Sequence, residues 1–333
     1  MVDQFKFLDL SGFQFTGKAA VHDLISEFDG FFTPGQRVEF DLIRVKDGLS
    51  DLEDALINWS PIRSDAAIRR FLRVVARMSN GASGISRFFD PGFGYSKRYP
   101  NFVKRTQEFI DSLTKEKWEV YWPYHLIEMS RFQVFRFKIL RKIFGDTTNM
   151  TYYLASEENF YKEIKSYLYD LLTNGVNSKK YHTIIMNNAF EGFNPAKYHK
   201  YFNHVKSIIV DRDPRDVFVI MNGYSLWSND HYNSKRRRAR QFDVKMFINR
   251  CNIYRAHRSQ TLSDNILSLN FEDLIADYEQ TVESIYHFLN ISPNEHNQKM
   301  KYFNPNTSVS NVGVWKTYPD QQSIRMIEDA LFD

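Results

Sequence analysis

Five short, almost wholly apolar runs recur along the chain, at residues 5–10, 38–43, 183–187, 207–211 and 266–269. Runs without polar alternation suit strands buried on both faces of a parallel sheet. Between them the apolar spacing changes to the helical period. Across residues 63–78, Ile68, Phe71, Leu72 and Val75 fall on one stripe with arginines on the other, and residues 157–172 behave in the same way. Strands alternating with helices predict βαβ units and an α/β fold: a doubly wound, mainly parallel sheet of about five strands. The interval 50–181 shows no run of strand character, which predicts a large helical insertion within a single domain spanning residues 1–333. Glycines and aromatics over residues 81–100 read as a loop inside that insertion.

The first apolar run breaks into Ser11-Gly12-Phe13-Gln14-Phe15-Thr16-Gly17-Lys18 and then into the helix-like Ala19-Ala20-Val21-His22-Asp23-Leu24-Ile25. Gly12, Gly17 and Lys18 stand at G-x-x-x-x-G-K spacing. There, glycines let backbone N–H groups close around a phosphate while the next helix points its positive end at it. Ala19 follows the lysine, where a nucleoside-triphosphate enzyme needs Ser or Thr for Mg²⁺. The run 206–211 likewise ends in Arg212-Asp213-Pro214-Arg215-Asp216. Ligands of open α/β sheets bind beyond the carboxyl ends of strands, so Arg212 is placed to meet a phosphate, with Pro214 in the first turn of the next helix. A guanidinium suits a phosphate monoester because it is planar, permanently charged and donates in pairs. The same residues also fit an ordinary capped helix start with surface ion pairs.

Composition narrows the picture little further. Hydrophobic residues make up 43%, as in a folded globular chain, and 29 Phe and 19 Tyr supply a bulky core. A net charge of +4 does not imply nucleic acid. The single cysteine, Cys251, excludes an internal disulfide framework and reads as a buried small apolar residue. No stretch reaches the roughly 18 to 20 apolar residues of a membrane span, and the start Val-Asp-Gln-Phe-Lys is unlike a signal peptide, so a cytoplasmic protein is expected.

Taken together, the loop and the arginine segment resemble the sulfotransferase family, which transfers a sulfuryl group from 3′-phosphoadenylyl sulfate (PAPS). The resemblance extends to Ile266-Leu267-Ser268-Leu269-Asn270-Phe271-Glu272-Asp273-Leu274 with the following residues 285–291, and to Asn311-Val312-Gly313-Val314-Trp315-Lys316. It implies that residues Gly12 to Ala19 cradle the 5′-phosphosulfate, that Arg212 and Arg215 meet the 3′-phosphate, and that Gly313, Trp315 and Lys316 close over the nucleotide. It further implies PAPS as co-substrate, no metal, and a glycan or lipid-linked glycan as acceptor, most like bacterial members that modify surface polysaccharides. The insertion would shape the acceptor side. Three departures stand out: Phe15 occupies the position of the family's loop lysine, Lys18 and Ala19 replace the usual arrangement after it, and Ile220 takes the place of a serine. Thr16 is the nearest hydroxyl, and Asn222 or Ser225 would have to stand in for the serine.

Sulfuryl transfer needs a base for the acceptor's hydroxyl proton, worth about 10² to 10⁴ in rate. Glycan sulfotransferases of this family carry a glutamate on the second strand, and the matching position is Glu39. Asp41, His22 and His125 are the other candidates, with Lys18 supplying positive charge at the loop. The run Lys235-Arg236-Arg237-Arg238-Ala239-Arg240 reads as a solvated face, placed where it would steer an anionic glycan or approach a lipid-linked acceptor at a membrane surface. Two other readings stand beside the transferase. One is a Mg-ATP-dependent P-loop kinase of a sugar, with Lys18 on the phosphates and Asp211 as the acidic metal partner. The other is a non-catalytic nucleotide-binding protein.

Overall fold

The computed structural model describes residues 4–13, 15–34, 39–81, 92–145, 149–223, 243–258 and 263–332. Proximity of Cα atoms divides the chain into two compact units, Met1–Phe40 with Val176–Asp333, and Asp41–Gly175.

The first unit begins with strand β1 (Lys6–Gly12), helix α1 (Lys18–Ile25) and the two-residue strand β2 (Phe31–Phe32). The second unit contains helices α2 (Leu49–Ile57), α3 (Pro61–Ser79), α4 (Tyr95–Arg98) and α5 (Phe102–Leu113), strand β3 (Thr114–Val120), helix α6 (Arg131–Phe144), strand β4 (Met150–Ala155) and helix α7 (Phe160–Thr173). The chain then returns to the first unit through β5 (Thr183–Asn187), α8 (Ala196–His199), β6 (Val205–Asp211), α9 (Pro214–Met221), α10 (Val244–His257) and β7 (Ile266–Asn270). Helices α11 (Phe271–Ala276), α12 (Tyr278–Leu289), α13 (Pro305–Ser308) and α14 (Gln321–Leu331) complete it.

Five strands form one parallel sheet in the order β2-β5-β1-β6-β7. Four of them coincide with the apolar runs, because both faces of β1, β5 and β6 are covered and water leaves no room for polar alternation. The run 38–43 does not form the expected strand. Asp41–Ile43 is a 3-10 turn that buries Leu42 and Ile43, residues 35–38 lie outside the described residues, and the outer strand is β2. An apolar run shows that side chains are buried, and a turn buries them as well as a strand does.

The helical stripes over 63–78 and 157–172 appear as α3 and α7, the former started by Ser60, whose side chain accepts from Arg63 N. The second unit nevertheless contains an antiparallel pair, β3 and β4, which the absence of apolar runs concealed. Strand β3 reads Thr-Lys-Glu-Lys-Trp-Glu-Val and is exposed along most of its length, held by cross-strand pairing such as Trp118 on Tyr152 at 4.9 Å. Within the stretch 81–100, residues 82–91 lie outside the described residues, and Tyr95–Arg98 is helical with Tyr95 fully buried.

Two buried carboxyl groups tie the first unit together. Glu27, just beyond α1, accepts from the backbone N–H groups of Met300, Tyr302 and Phe303 at 2.7–3.0 Å and from His296 Nε2 at 2.8 Å. Asp9 on β1 is fully buried, accepts from Ala189 N at 2.8 Å and bonds the Ser11 hydroxyl, which fixes the segment after β5 against β1. Burial pushes the Asp9 carboxyl up to about 7, against the opposing pull of its hydrogen bonds and of Lys18.

Replacing Glu27 by Ala strands three backbone donors and His296, with an expected loss of about 3–5 kcal/mol in urea unfolding. For Asp9 the folded state holds its proton to higher pH than the unfolded chain. Its contribution is therefore full below the unfolded value near 3.8 and is lost as pH rises through about 7. The stability of the native protein minus that of Asp9→Asn should accordingly fall across that window and level off above it; a pH-independent difference would contradict this assignment.

Candidate active site at the carboxyl ends of the sheet

Parallel register sets the site. Gly12 pairs with Val210 and Asp211 with Asn270, so β1, β6 and β7 end side by side, and the loop after β1, Arg212 and Phe271 emerge at one edge. The loop is compact: Thr16 is buried, and its hydroxyl donates to Phe13 O at 2.8 Å. Gly17 adopts φ +89° at the N-terminus of α1, and a Cβ there would meet the Phe271 ring at 2.3 Å. At Gly12 a Cβ would lie 2.7 Å from Thr16 Oγ1 and 2.9 Å from Val210 O. Both glycines of the motif are thus required by close approach. Phe15 holds a left-handed φ of 66° and is about a third exposed, a conformation that costs a bulky residue on the order of 1–2 kcal/mol. Its carbonyl accepts from Arg212 Nη1 at 3.4 Å, so what this position contributes is a backbone oxygen. Gln14 lies outside the described residues.

The arginine segment does more than start a helix. Asp213 caps α9, accepting from Arg215 N at 2.8 Å, and Pro214 fills the first turn. Arg212 is buried: its Nη2 donates to Asn311 O, its Cζ lies 4.6 Å from the Phe271 ring centroid, and its buried Nε has no hydrogen-bond partner among the described residues. Burial pulls its basicity below the usual arginine value, partly offset by Asp216. Asp216 is also buried and accepts from Gly313 N at 2.7 Å and Trp315 N at 3.1 Å. Arg215 is engaged by Asp213 and Glu328 and lies 3.9 Å from the Trp315 ring centroid, so it braces the closing loop rather than facing open solvent. Gly313 turns at φ +72°, with Lys316 folded back beside it.

Lys18 Nζ meets Glu39 Oε1 at 3.3 Å, with the glutamate 42% exposed and the lysine 17%. Glu39 sits outside any strand, just before Phe40, whose N–H donates to Asn187 O at 2.9 Å. His22 is buried in α1, its Nε2 3.1 Å from Thr33 Oγ1. Asp41 takes Arg44 at 2.6 Å. His125 is buried against Asp65 at 2.9 Å, and burial pushes its pKa down. Ile220 packs in the core, Asn222 closes α9, and Ser225 with the whole run Lys235–Arg240 lies outside the described residues.

Beside Arg212 lies a cavity of about 270 Å³ lined by Phe13, Tyr254, Arg250, Arg255 and Arg258 among others. Phe13 stacks on Tyr254 at 5.5 Å and 22°, and Phe193 closes the cluster at 5.7 Å from Phe13. Arg258 binds Asp211 at 2.8 Å, so the carboxylate that a magnesium-nucleotide kinase would use is taken up by a guanidinium. The arginines of α10 carried no motif in the sequence and are recognisable only once the helix is packed against α9 and α14. Cys251 lines the same cavity, its thiol pushed up by burial, which suits a packing residue.

Comparison with known proteins fits this arrangement. The model described as "Sulfotransferase family" matches residues 112–295, more than half of the chain. Among solved structures, the sulfotransferase domain from the curacin biosynthetic pathway aligns over 98% of this chain and 97% of its own at 13% identity and TM-score 0.40. A Mycobacterium tuberculosis sulfotransferase aligns over 89% and 71% at 12% identity and TM-score 0.36. Retinol dehydratase, solved with androsterone and the inactive cofactor PAP, aligns over 98% and 80% at 14% identity and TM-score 0.35. No curated protein matches. The matched segment carries β5, β6 with Arg212 to Asp216, and β7 with Phe271 and Glu272, while β1 and its loop lie outside it; the match spans more than half of the chain, and on it the chain belongs to the sulfotransferase family.

Proposed function

We propose that the chain transfers the sulfuryl group of PAPS to a hydroxyl of a glycan, with Glu39 as general base. The observation that carries this reading is the meeting of three segments at one edge of the sheet: the Gly12–Lys18 loop, the buried Arg212, and the Gly313–Trp315 loop pinned by Asp216. The residues suit a bisphosphate nucleotide. Arg212 Nε is a buried donor with no partner among the described residues, the glycines of the loop admit close approach, and an arginine-lined cavity with stacked aromatics adjoins them. PAPS, when bound, supplies the sulfuryl group and departs as adenosine 3′,5′-bisphosphate.

The protein's own part is to position and to balance charge. Lys18 and the N-terminus of α1 bring positive charge to the loop, while Arg212 is held by backbone carbonyls in a fixed direction. Glu39 is oriented by Lys18 and half open to solvent, which suits it to accept the proton of an incoming hydroxyl. The glycan acceptor rests on the likeness of Glu39 to the glutamate of glycan sulfotransferases, and surface polysaccharide is the acceptor class we favour.

Two measurements test this. Adenosine 3′,5′-bisphosphate at one hundred times its Kd should stabilise the protein by about 2.7 kcal/mol, and Arg212→Ala should abolish the effect at the same concentration. Stabilisation by ATP with Mg²⁺ alone would instead point to the kinase. Glu39→Gln should lower turnover about 10²- to 10⁴-fold while bisphosphate binding is retained, and unchanged turnover removes Glu39 as the base.

A further inference from the structure

Helix α6 is anomalous for a helix of a folded unit, because none of its fourteen residues is buried. It is nonetheless firmly started by a capping box: Ser130 Oγ accepts from Gln133 N at 3.2 Å, and Gln133 Oε1 accepts from Ser130 N at 2.8 Å. Its inner side, Val134, Phe137, Leu140 and Arg141, is half-buried. Phe137 lies 6.1 Å from the Tyr121 ring, and the Arg141 guanidinium is 3.8 Å from the same ring's centroid. The outer side carries a second apolar stripe, with Phe132 73%, Phe135 62%, Ile139 42% and Ile143 65% exposed. Spacings of three, four and four residues put these four on one line of the helix. At 100° per residue Arg136 borders that line on one side, and Arg131, Lys138 and Lys142 border it on the other. The helix has no Asp or Glu.

We propose that α6 is a membrane-docking helix that lies in the headgroup region of an anionic bilayer with this stripe against the acyl chains. The inference is independent of the reaction proposed above. Charge complementarity selects the occupant: an apolar line bordered by long cationic side chains lets the ammonium and guanidinium groups reach lipid phosphates while the Phe and Ile side chains leave water. A self-complementary contact between two copies would set four cations, Arg131, Arg136, Lys138 and Lys142, against the same four with no acid on either helix, which opposes it. At 1.5 Å per residue the helix is about 21 Å long, short of a span, and no helix among the described residues is long and apolar enough to cross a membrane. It therefore lies along the surface.

The test is co-sedimentation of the full chain with vesicles of phosphatidylcholine containing roughly one third phosphatidylglycerol, against pure phosphatidylcholine. Affinity for the anionic vesicles should be about tenfold or more higher and should fall as salt is raised. The double variant Phe132→Ser, Phe135→Ser should bind them about tenfold or more weakly, and the triple variant Arg136→Glu, Lys138→Glu, Lys142→Glu on the order of a hundredfold more weakly. Both should melt at the native temperature, since the altered residues are exposed. Absence of vesicle binding, binding indifferent to lipid charge, or binding unaffected by the serine pair overturns the proposal. So does a native dimer that the serine pair converts to monomer while vesicles are ignored, because the stripe then belongs to a second copy.

Discussion

Two buried charges organise the site. The side chains of Arg212 and Asp216 are only 3% and 1% exposed and lie 3.8 Å apart, too far for their mutual attraction alone to offset the loss of water. Their hydrogen-bonding capacity has to be met by backbone groups brought from elsewhere. Phe15 and Asn311 supply carbonyls to the guanidinium, and Gly313 and Trp315 supply N–H groups to the carboxylate. Two segments far apart in sequence, the loop at Phe15 and the stretch 311–315, are thereby fixed relative to the start of α9. A change at Asp216 would be felt first in the loop around Trp315, and a change at Arg212 in the loop before α1 as well.

From that clamp follow several residue choices that look arbitrary one by one. Phe271 lies against both Arg212 and Gly17, which is why the loop's second glycine admits no side chain. Glu272 accepts from Asp213 N at 3.0 Å and holds the cap of α9, while burial raises its own pKa. Phe15 keeps a left-handed backbone because its carbonyl is needed by Arg212. The positive charge of the loop is left to Lys18, whose partner is Glu39. Arginine is used here in two ways: Arg215 and Arg258 are bound to carboxylates and stiffen the walls, while Arg212 is held by backbone carbonyls, its buried Nε without a hydrogen-bond partner among the described residues.

Much of this was legible in the chain, for reasons that differ by element. Strands β1, β5, β6 and β7 announce themselves because double-sided burial demands continuous apolar runs. Pro214 meets a local backbone need, whereas the glycine spacing marks positions that Phe271 and Val210 approach closely in the fold. The run at 38–43 misled because burial alone does not make a strand: Phe40 gives a hydrogen bond to Asn187 and the chain then turns at Asp41–Ile43, while β3 stayed hidden because its cross-strand partner, not its own pattern, stabilises it. Asp9 and Glu27 carried no signal, since one carboxylate among many becomes special only when the fold removes its water and supplies N–H groups.

Sequence alone therefore determined the alternation of strand and helix, the strand–loop–helix from β1 through Gly12 to Lys18, and the family resemblance carried by Arg212 to Asp216 and Gly313 to Lys316. These depend on spacing and on residue type, which are written along the chain. Tertiary structure alone decided that Asp216 holds the loop around Gly313 and Trp315, that Arg215 braces Trp315, that Glu39 pairs with Lys18 away from any strand, and that α10 lines a cavity with arginines. Each of these is a contact between distant segments, and its energy comes from desolvation and hydrogen bonding that exist only after the sheet has set its strands in register.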